Sequence, residues 1–551
     1  MSTNYETRLQ TEHPQLKEIF PTEKDIPVEY SFDKPIEQTE YLINGEIRTW
    51  NKDFEEVYSP VCLRANNGSL KPIRLGKYPM MDEKETESAL DAAVKAYNYG
   101  RGAWPAMSVK DRITCMQQLV AKMLPQKSAI VKMLIWEIGK SASDSEKEFD
   151  RTVEYMVDTI EELKKLDREG SRFSLQQGVL AQIRRSPLGV VLCMGPFNYP
   201  LNETFAVLIP ALIMGNTVIL KPPRKGVLLY RFLLAAFKDA FPKGVVNIVY
   251  GEGKVTSATL LKSGKIDVLA FIGTSKGATE LKKLHPSPHR LRSVLGLESK
   301  NPAIILPDAD MTLTINECVL GSLSFNGQRC TALKMLFVHS KIKDEFLKKF
   351  SEAVDRIVIG MPWKKGVQVT PMPDEYKIKY MQELVDDAVT KGANIINQYG
   401  GQHVGTFYFP TVLYPAKPGM KIYEEEQFGP VIPIIVYDNL ETPIDYIVNS
   451  PYGQQASIFG TNPETIAQLV DPLINQVCRI NINSQCQRGP DSYPFCGRKN
   501  SAEGTLSVFD ALRAFSIRSL VAAKKNELNE EILSNIVTKR MSNFLRTDYL
   551  F

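Results

Sequence analysis

Apolar residues in two segments, 108–124 and 143–165, fall on a helical period, the second through Phe149, Val153, Met156, Ile160 and Leu163. Each segment predicts a packed amphipathic helix. Further along the chain the period shortens. "GVVLCMGPF" (189–197), "NTVILKPPR" (216–224), "VVNIVYGEG" (245–253) and "VLAFIGTSKG" (268–277) are short, almost continuous apolar runs that end in Gly or Pro, with helix-length stretches between them. A strand covered on both faces carries apolar residues on both, and a strand followed by a helix returns parallel. The pattern therefore predicts an α/β chain with a doubly wound parallel sheet. Residues 1–39 are charged, proline-spotted and weakly periodic, which predicts a peripheral arm. Residues 524–551 regain helical spacing at Leu528, Ile532 and Ile536. That tail either docks on a neighbouring subunit or stands as an independent helix.

Composition narrows the function classes. A chain of 551 residues with 43% hydrophobic positions exceeds a single-domain length and can bury a large core. Its eight cysteines form no CxxC pair and no metal-ligand spacing with the five histidines. No metal site and no dense disulfide framework is expected, and a reducing compartment fits. The first residues contain no apolar leader, and no run approaches the ~18 apolar residues of a membrane span, so a cytoplasmic protein without membrane contact is expected. A net charge of +4, with basic and acidic residues interspersed, gives no nucleic-acid stripe and points to small-molecule partners.

In open α/β sheets ligands bind beyond the carboxyl ends of the strands, and those ends hold candidate ligand groups here. Gly273 and Thr274 precede a helical segment, where free amides and the helix dipole suit a phosphate, although simple turn geometry explains the same glycines. Lys221 and Arg224 follow a neighbouring strand, with no acid between Lys221 and Gly226. That composition suits the 2'-phosphate of NADP better than the ribose of NAD, and a solvated basic turn is the alternative.

The stretch "SFNGQRCTA" (324–332) sets Cys330 directly after Arg329 in a polar, glycine-containing segment. An adjacent guanidinium stabilises a thiolate and so predicts a lowered thiol pKa. A small buried hydrophobe is the plainer reading of a lone cysteine, and these residues alone leave both open.

Several motifs together resemble the aldehyde dehydrogenase superfamily over about residues 41–524. "MGPFNYPLN" is similar to its oxyanion loop, "KPP" to its adenosine-ribose loop, "FIGTSKG" to its pyrophosphate turn, "FNGQRCTA" to its nucleophile segment and "EEEQFGPV" to its nicotinamide-side motif. A closer likeness is to the non-phosphorylating, NADP-dependent glyceraldehyde-3-phosphate dehydrogenases. It rests on Tyr199, the "KPP" prolines, Arg329 before Cys330, and "CQRGPDSYPFCGRK" (486–499). The resemblance implies Cys330 as nucleophile, with the Asn198 amide and the Cys330 backbone N–H holding the oxyanion. It implies a cofactor, NADP, with NAD a weaker possibility, bound by Pro196, Lys221, Arg224, Gly273, Thr274, Glu426 and Phe428. It further implies that Arg151, Tyr199, Arg329 and Arg488 hold the phosphate of an aldehyde substrate, which several arginine forks suit.

The resemblance also implies an architecture. A cofactor-binding domain spans 40–170 and 188–300, a catalytic domain 301–479, and a small β arm 171–187 with 480–523, pairing subunits into a homodimer or homotetramer. The chain departs from the family pattern at one place. "LGLESKNPAIIL" (295–306) puts Gly296 where the family's general-base glutamate stands. Glu298, two residues on, shares a face with Gly296 if the strand continues. Glu203, a carboxylate in the apolar helix "ETFAVLIPALIM", is narrowly the better candidate. Without an efficient base the acyl group could pass to coenzyme A or phosphate instead of water, and a non-catalytic NADP-binding protein is the remaining alternative.

Overall fold

The computed structural model describes residues 18–32, 34–373 and 375–549. Residues 1–17 of the expected N-terminal arm lie outside the described residues. Both amphipathic segments are helices, α1 (Val109–Met123) and α2 (Ala142–Glu169), with Ser108 and Ser141 capping their first turns through their hydroxyls. Then follow β1 (Phe173–Gln176), β2 (Val179–Pro187), β3 (Val190–Met194), α3 (Asn202–Ile213), β4 (Thr217–Lys221), β5 (Val246–Ile248), β6 (Val268–Ile272), α4 (Ser275–Lys283) and β7 (Arg292–Gly296). The second half contributes β8 (Asn301–Ile305), α5 (Met311–Leu323), β9 (Leu333–His339), β10 (Asn394–Ile395), β11 (Thr411–Tyr414), β12 (Val431–Tyr437), β13 (Gln455–Phe459) and β14 (Arg479–Ile482). β15 (Ala502–Glu503), β16 (Ser516–Lys524) and α6 (Glu527–Thr538) complete the elements used below.

One sheet has the order β5-β4-β3-β6-β7-β15 and is parallel except for its last pairing. The chain leaves β3 toward β4 and β5, then returns to the other side of β3 as β6. The crevice beyond the end of β3 is thus a topological switch point. A second sheet, β10-β11-β12-β9-β8-β13-β14, is parallel apart from β10. Its β8 and β9 are buried along nearly their whole length, as a doubly covered sheet requires. A separate antiparallel sheet, β16-β2-β1, stands apart from both.

The tail forms a helix, α6, through Leu528, Ile532 and Ile536, as its spacing predicts, and the residues after it make contacts of their own. They return to their own chain: the Asp548 and Tyr549 amides donate to Asp167 at 2.8 and 3.1 Å, and the Lys110 amide donates to Asp548 at 3.0 Å.

Candidate active site

One cavity of about 810 Å³ separates the carboxyl edge of the first sheet from the amino edge of the second. It brings together every residue singled out from the sequence except Lys221. From the first sheet come the loop after β3 (Pro196, Asn198, Tyr199), the turn after β6 (Gly273, Thr274) and Arg224 beyond β4. The segments before β8, β9 and β12 supply Glu298, Cys330, Glu426 and Phe428. Arg488 arrives from the loop after β14, and Arg151 and Glu203 from α2 and α3.

Cys330 sits half-buried just before β9. Burial pushes its thiol above the usual value, and the charge of Glu203 pushes the same way. Lys334 and a hydrogen bond with Gln454 pull against this without overcoming it. This corrects the expectation of a thiolate made by Arg329. The Arg329 guanidinium instead donates to the carbonyls of Leu320 and Gly321, at 3.3 and 2.9 Å, and to Gln485 at 3.3 Å, closing the end of α5. Its Nε is buried without a hydrogen-bond partner among the described residues.

The oxyanion-loop residue Asn198 is held from two sides. Its amide donates to the Gln328 carbonyl at 2.8 Å, two residues before Cys330, and its own carbonyl accepts from Lys140 Nζ at 2.7 Å. Lys140 is fully buried, ion-paired with the equally buried Glu148, and its ammonium lies 3.5 Å from the Tyr199 ring centroid and 4.4 Å from that of Phe325. Glu148 in turn accepts from the Leu201 and Asn202 amides, both at 3.1 Å. Sequence reasoning passed over this pair. A signal existed: Glu148, Thr152, Tyr155 and Thr159 form a polar stripe at helical spacing on the face of α2 that is buried.

The four residues expected to hold a phosphate separate into two environments. Arg488, buried, pairs through Nη1 with Glu203, through Nε with Asp491 at 3.1 Å, and through Nη2 with the Leu506 carbonyl at 3.1 Å. Arg151 grips the same Asp491 with two hydrogen bonds, at 2.9 and 2.8 Å. Burial works against the Asp491 charge, but the two guanidinia offset it and hold the carboxyl below its usual range. Two arginines thus already balance two carboxylates, which corrects the expectation of free phosphate donors. It also places Glu203 in an ion pair rather than in an apolar pocket. Asp491 was missed although it lies three residues from Arg488 in the motif itself.

Glu298 lines the cavity alongside Gly296, although β7 itself ends at Gly296. Its carboxylate accepts from the Ser275 amide at 2.7 Å, at the start of α4, where Thr274 caps the helix by accepting from the Gly277 amide at 3.1 Å. The Lys300 ammonium goes elsewhere, donating to the Ile422 and Glu425 carbonyls and to Gln427.

Glu426 accepts at Oε1 from both the Ser299 amide, at 3.1 Å, and the buried Lys334, which also reaches the Ser299 hydroxyl at 2.9 Å and the Cys330 carbonyl at 3.3 Å. Lys334 is a second omission, legible as a lone cation inside the apolar strand β9. Phe428, with φ of 45°, stands edge-on to Phe197 at 5.9 Å between ring centroids. Arg224 is exposed and donates to Glu55 at 3.3 Å, an acid from a distant strand that no local count could reveal. Lys221 does not line the cavity; burial lowers its ammonium to about 8. Among the described residues no three His, Cys, Asp or Glu side chains converge as metal ligands, and no helix is long and apolar enough to cross a membrane.

Residues 69–520 match the aldehyde dehydrogenase family. The chain is 31% identical over 487 residues, 87% of its own length and 97% of the relative's, to NADP-dependent glyceraldehyde-3-phosphate dehydrogenase of Streptococcus equinus. It is 29% identical over 401 residues, 72% of this chain and 82% of the relative, to 3-sulfolactaldehyde dehydrogenase of Priestia aryabhattai. Among solved structures, NADP-dependent glyceraldehyde-3-phosphate dehydrogenase from Bacillus halodurans C-125, complexed with NADP, superposes with a TM-score of 0.80 at 29% identity, covering 88% of this chain and 99% of that one. A thiol, an amide-bearing loop and a dinucleotide-type turn meeting in one cavity, within a match over most of the chain, place this protein in the aldehyde dehydrogenase family.

Proposed function

We propose that the protein is an NADP-dependent dehydrogenase of a small phosphorylated aldehyde, glyceraldehyde 3-phosphate, forming 3-phosphoglycerate. The observation that supports this most is the Arg151–Asp491–Arg488–Glu203 network on the wall of the Cys330 cavity. A phosphate dianion offers Arg488 the same kind of acceptor as Glu203 does, with more oxygens. Its arrival exchanges one anion for another and releases Glu203. Arg329 Nε, Arg151 and Tyr199 complete the phosphate's surroundings.

The site residues also suit the dinucleotide. Glu298 on the Ser275 amide is a stand-in anion, showing that this helix start accepts a charged oxygen. The Gly273–Gly277 turn would hold the pyrophosphate, Arg224 with Lys221 behind it the 2'-phosphate, Glu426 Oε2 a ribose hydroxyl, and Pro196 and Phe428 the ring's surroundings. Bound NADP supplies the hydride acceptor. Cys330 sulfur bonds to the aldehyde carbon, the carbonyl electron pair moves onto oxygen beside the Asn198 amide, and the thiol proton passes to Glu203 Oε1. After oxidation the acyl group is a thioester on Cys330. Glu203 gives up the thiol proton to solvent and then takes a proton from the water that adds to the thioester carbonyl carbon; the C–S bond breaks, the leaving sulfur recovers that proton as the thiol, and the carboxylic acid formed loses its own proton to solvent.

In this reading residues 40–170 and 188–300 form the cofactor-binding domain and 301–479 the catalytic domain. The arm of 171–187 with 480–523 joins subunits of a cytoplasmic homodimer or homotetramer. Leu175, Val179, Ile183, Ile517 and Leu520 all expose apolar side chains on that arm's sheet, which supports a subunit contact.

The test compares kcat/KM for glyceraldehyde 3-phosphate and glyceraldehyde, with and without inorganic phosphite. Two charge-assisted contacts imply a preference on the order of hundredfold or more, and phosphite should raise turnover of the truncated aldehyde. A ratio near one, with no phosphite activation, removes the phosphate pocket. A second reading, acyl transfer to coenzyme A or phosphate, draws on Gly296 at the base position and on both nearby carboxylates being engaged. A stoichiometric NADPH burst that becomes turnover only when such an acceptor is added would select it.

A further inference from the structure

A second cavity, of about 540 Å³, lies between the β16-β2-β1 sheet and helices α1 and α2, and shares no lining residue with the Cys330 cavity. Six arginines line it against two acids, Asp167 and Glu169. Asp167 is fully used: Arg184 takes one oxygen and the Asp548 and Tyr549 amides take the other. Glu169 reaches Arg513 at 3.5 Å.

The remaining cations are poorly compensated. Arg185 and Arg518 stand directly opposite each other in the antiparallel β2·β16 pairing. Like charges in that position repel. Arg185 donates to the Ser516 hydroxyl at 2.7 Å and to the Arg513 and Ser516 carbonyls, each at 2.9 Å, all of them neutral. Burial, then the charges of Arg513, Arg518 and Arg292, lower its affinity for its own proton. Across the cavity Arg112 is only 6% exposed. It donates from Nη1 to the Met107 carbonyl at 2.9 Å, while its Nε has no hydrogen-bond partner among the described residues. Burial lowers it to about 10. A buried guanidinium with an idle donor, lining the same cavity as a cross-strand arginine pair, is an arrangement that a bound anion would relieve.

We propose that this cavity binds a small anion carrying a phosphate group, held by Arg112, Arg185 and Arg518. A phosphate's double charge and multiple acceptor oxygens match convergent forks better than a single carboxylate does. The site stands on these residues alone and needs no role assigned to the Cys330 cavity.

The experiment is a calorimetric titration of inorganic phosphate into the full-length, NADP-saturated protein, repeated with citrate. The wild type should bind phosphate at two separable sites. Arg518→Glu should lose one, its affinity falling about tenfold or more, while its KM for NADP and its phosphate-free turnover stay unchanged. Arg112→Gln should lose the same site, and Arg488→Ala the other. Because Arg518 is exposed on its strand, that variant tests the site even if Arg112→Gln fails to fold. Isotherms of Arg518→Glu that overlay the wild type overturn the proposal, whatever Arg488→Ala does. Citrate binding more tightly than phosphate overturns the choice of ligand. Absence of phosphate binding, together with dissociation of the oligomer by Arg518→Glu, assigns the face to subunit contact instead. Retention of both sites by Arg488→Ala counts only against the substrate phosphate pocket.

Discussion

The two walls of the Cys330 cavity are built by opposite ends of two sheets. The first sheet presents carboxyl ends: the loop after β3, the turn after β6, and the basic segment after β4. The second presents amino ends, with Cys330 before β9, Glu298 before β8, Gln454 before β13 and Phe428 before β12. Carboxyl ends lead into helix starts, which offer amides and a positive dipole end to anions. Amino ends offer no such field, so the second wall obtains its charge control from buried side chains. Lys334 ties Glu426 to the Cys330 backbone. On the first wall a buried ion pair, Lys140 with Glu148, holds the Asn198 loop as well. The second wall relies on buried charge alone, the first on backbone amides with one ion pair beneath them.

The sharpest break of this comparison removes the proposed nucleophile. Cys330→Ser should lower turnover by on the order of 10⁴-fold or more, since loss of a nucleophile costs a catalytic unit nearly all of its chemistry. NADP binding, which is proposed to rest mainly on the opposite wall and not on the Cys330 sulfur, should survive. Fluorescence titration of NADP alongside steady-state rates checks both halves, and a variant that loses cofactor affinity in parallel would show that the walls are not separable.

Next in size is the ion pair beneath the oxyanion loop. Lys140→Met leaves Glu148 buried and unpaired, which should cost about 3–5 kcal/mol of stability. Urea unfolding measures it. The double variant Lys140→Met/Glu148→Gln should recover part of that loss, because no bare charge stays inside. Asn198→Ala should leave stability nearly intact and reduce kcat by about 10²–10³-fold, the usual cost of one oxyanion donor. A Lys140 variant with full activity and an Asn198 variant with full activity would each dissolve the assignment of this loop.

The difference between the walls also explains what was legible in the sequence. The strands ending at Lys221 and Ile272, and the turn carrying Gly273 and Thr274, could be read from composition, because a doubly covered strand is a continuous apolar run and its end is marked by Gly or Pro. The amino-end wall could not be read that way. Cys330 and Glu426 precede their strands in polar segments with no period; the polar setting of Cys330 marked it but left its role open, and Glu426 was marked by likeness to a family motif alone. Lys140, Lys334, Glu148 and Asp491 act through partners that the fold brings from far along the chain. Alternation past Gly296 sufficed to bring Glu298 to the cavity, but not to find its partner, the Ser275 amide, which comes from the neighbouring strand-to-helix turn. Arg329 was misread because adjacency in sequence was taken for adjacency of charge, whereas its guanidinium turns back onto α5.

The smallest expected effect is a shift in a pH profile, and it separates the two candidate carboxylates. Burial raises the Cys330 thiol, and among the charges around it Glu203 contributes most in the same direction. Removing that charge with Glu203→Gln takes away a like charge and leaves Arg488 less neutralised, and both changes favour the thiolate. The thiol pKa should therefore fall. Alkylation by iodoacetamide, which follows the thiolate fraction, should then rise at any fixed pH below the midpoint, with its midpoint moving to lower pH. Turnover should move the opposite way, because the group proposed to accept the thiol proton and the water proton is gone. Glu298→Gln should leave the alkylation profile in place, since its carboxylate is bound to the Ser275 amide at the start of α4. It should instead alter NADP affinity, by removing an internal anion from the place where the pyrophosphate is proposed to bind. An alkylation midpoint that shifts with Glu298→Gln and not with Glu203→Gln would exchange the two roles and move the proton-transfer carboxylate from α3 to the segment before β8.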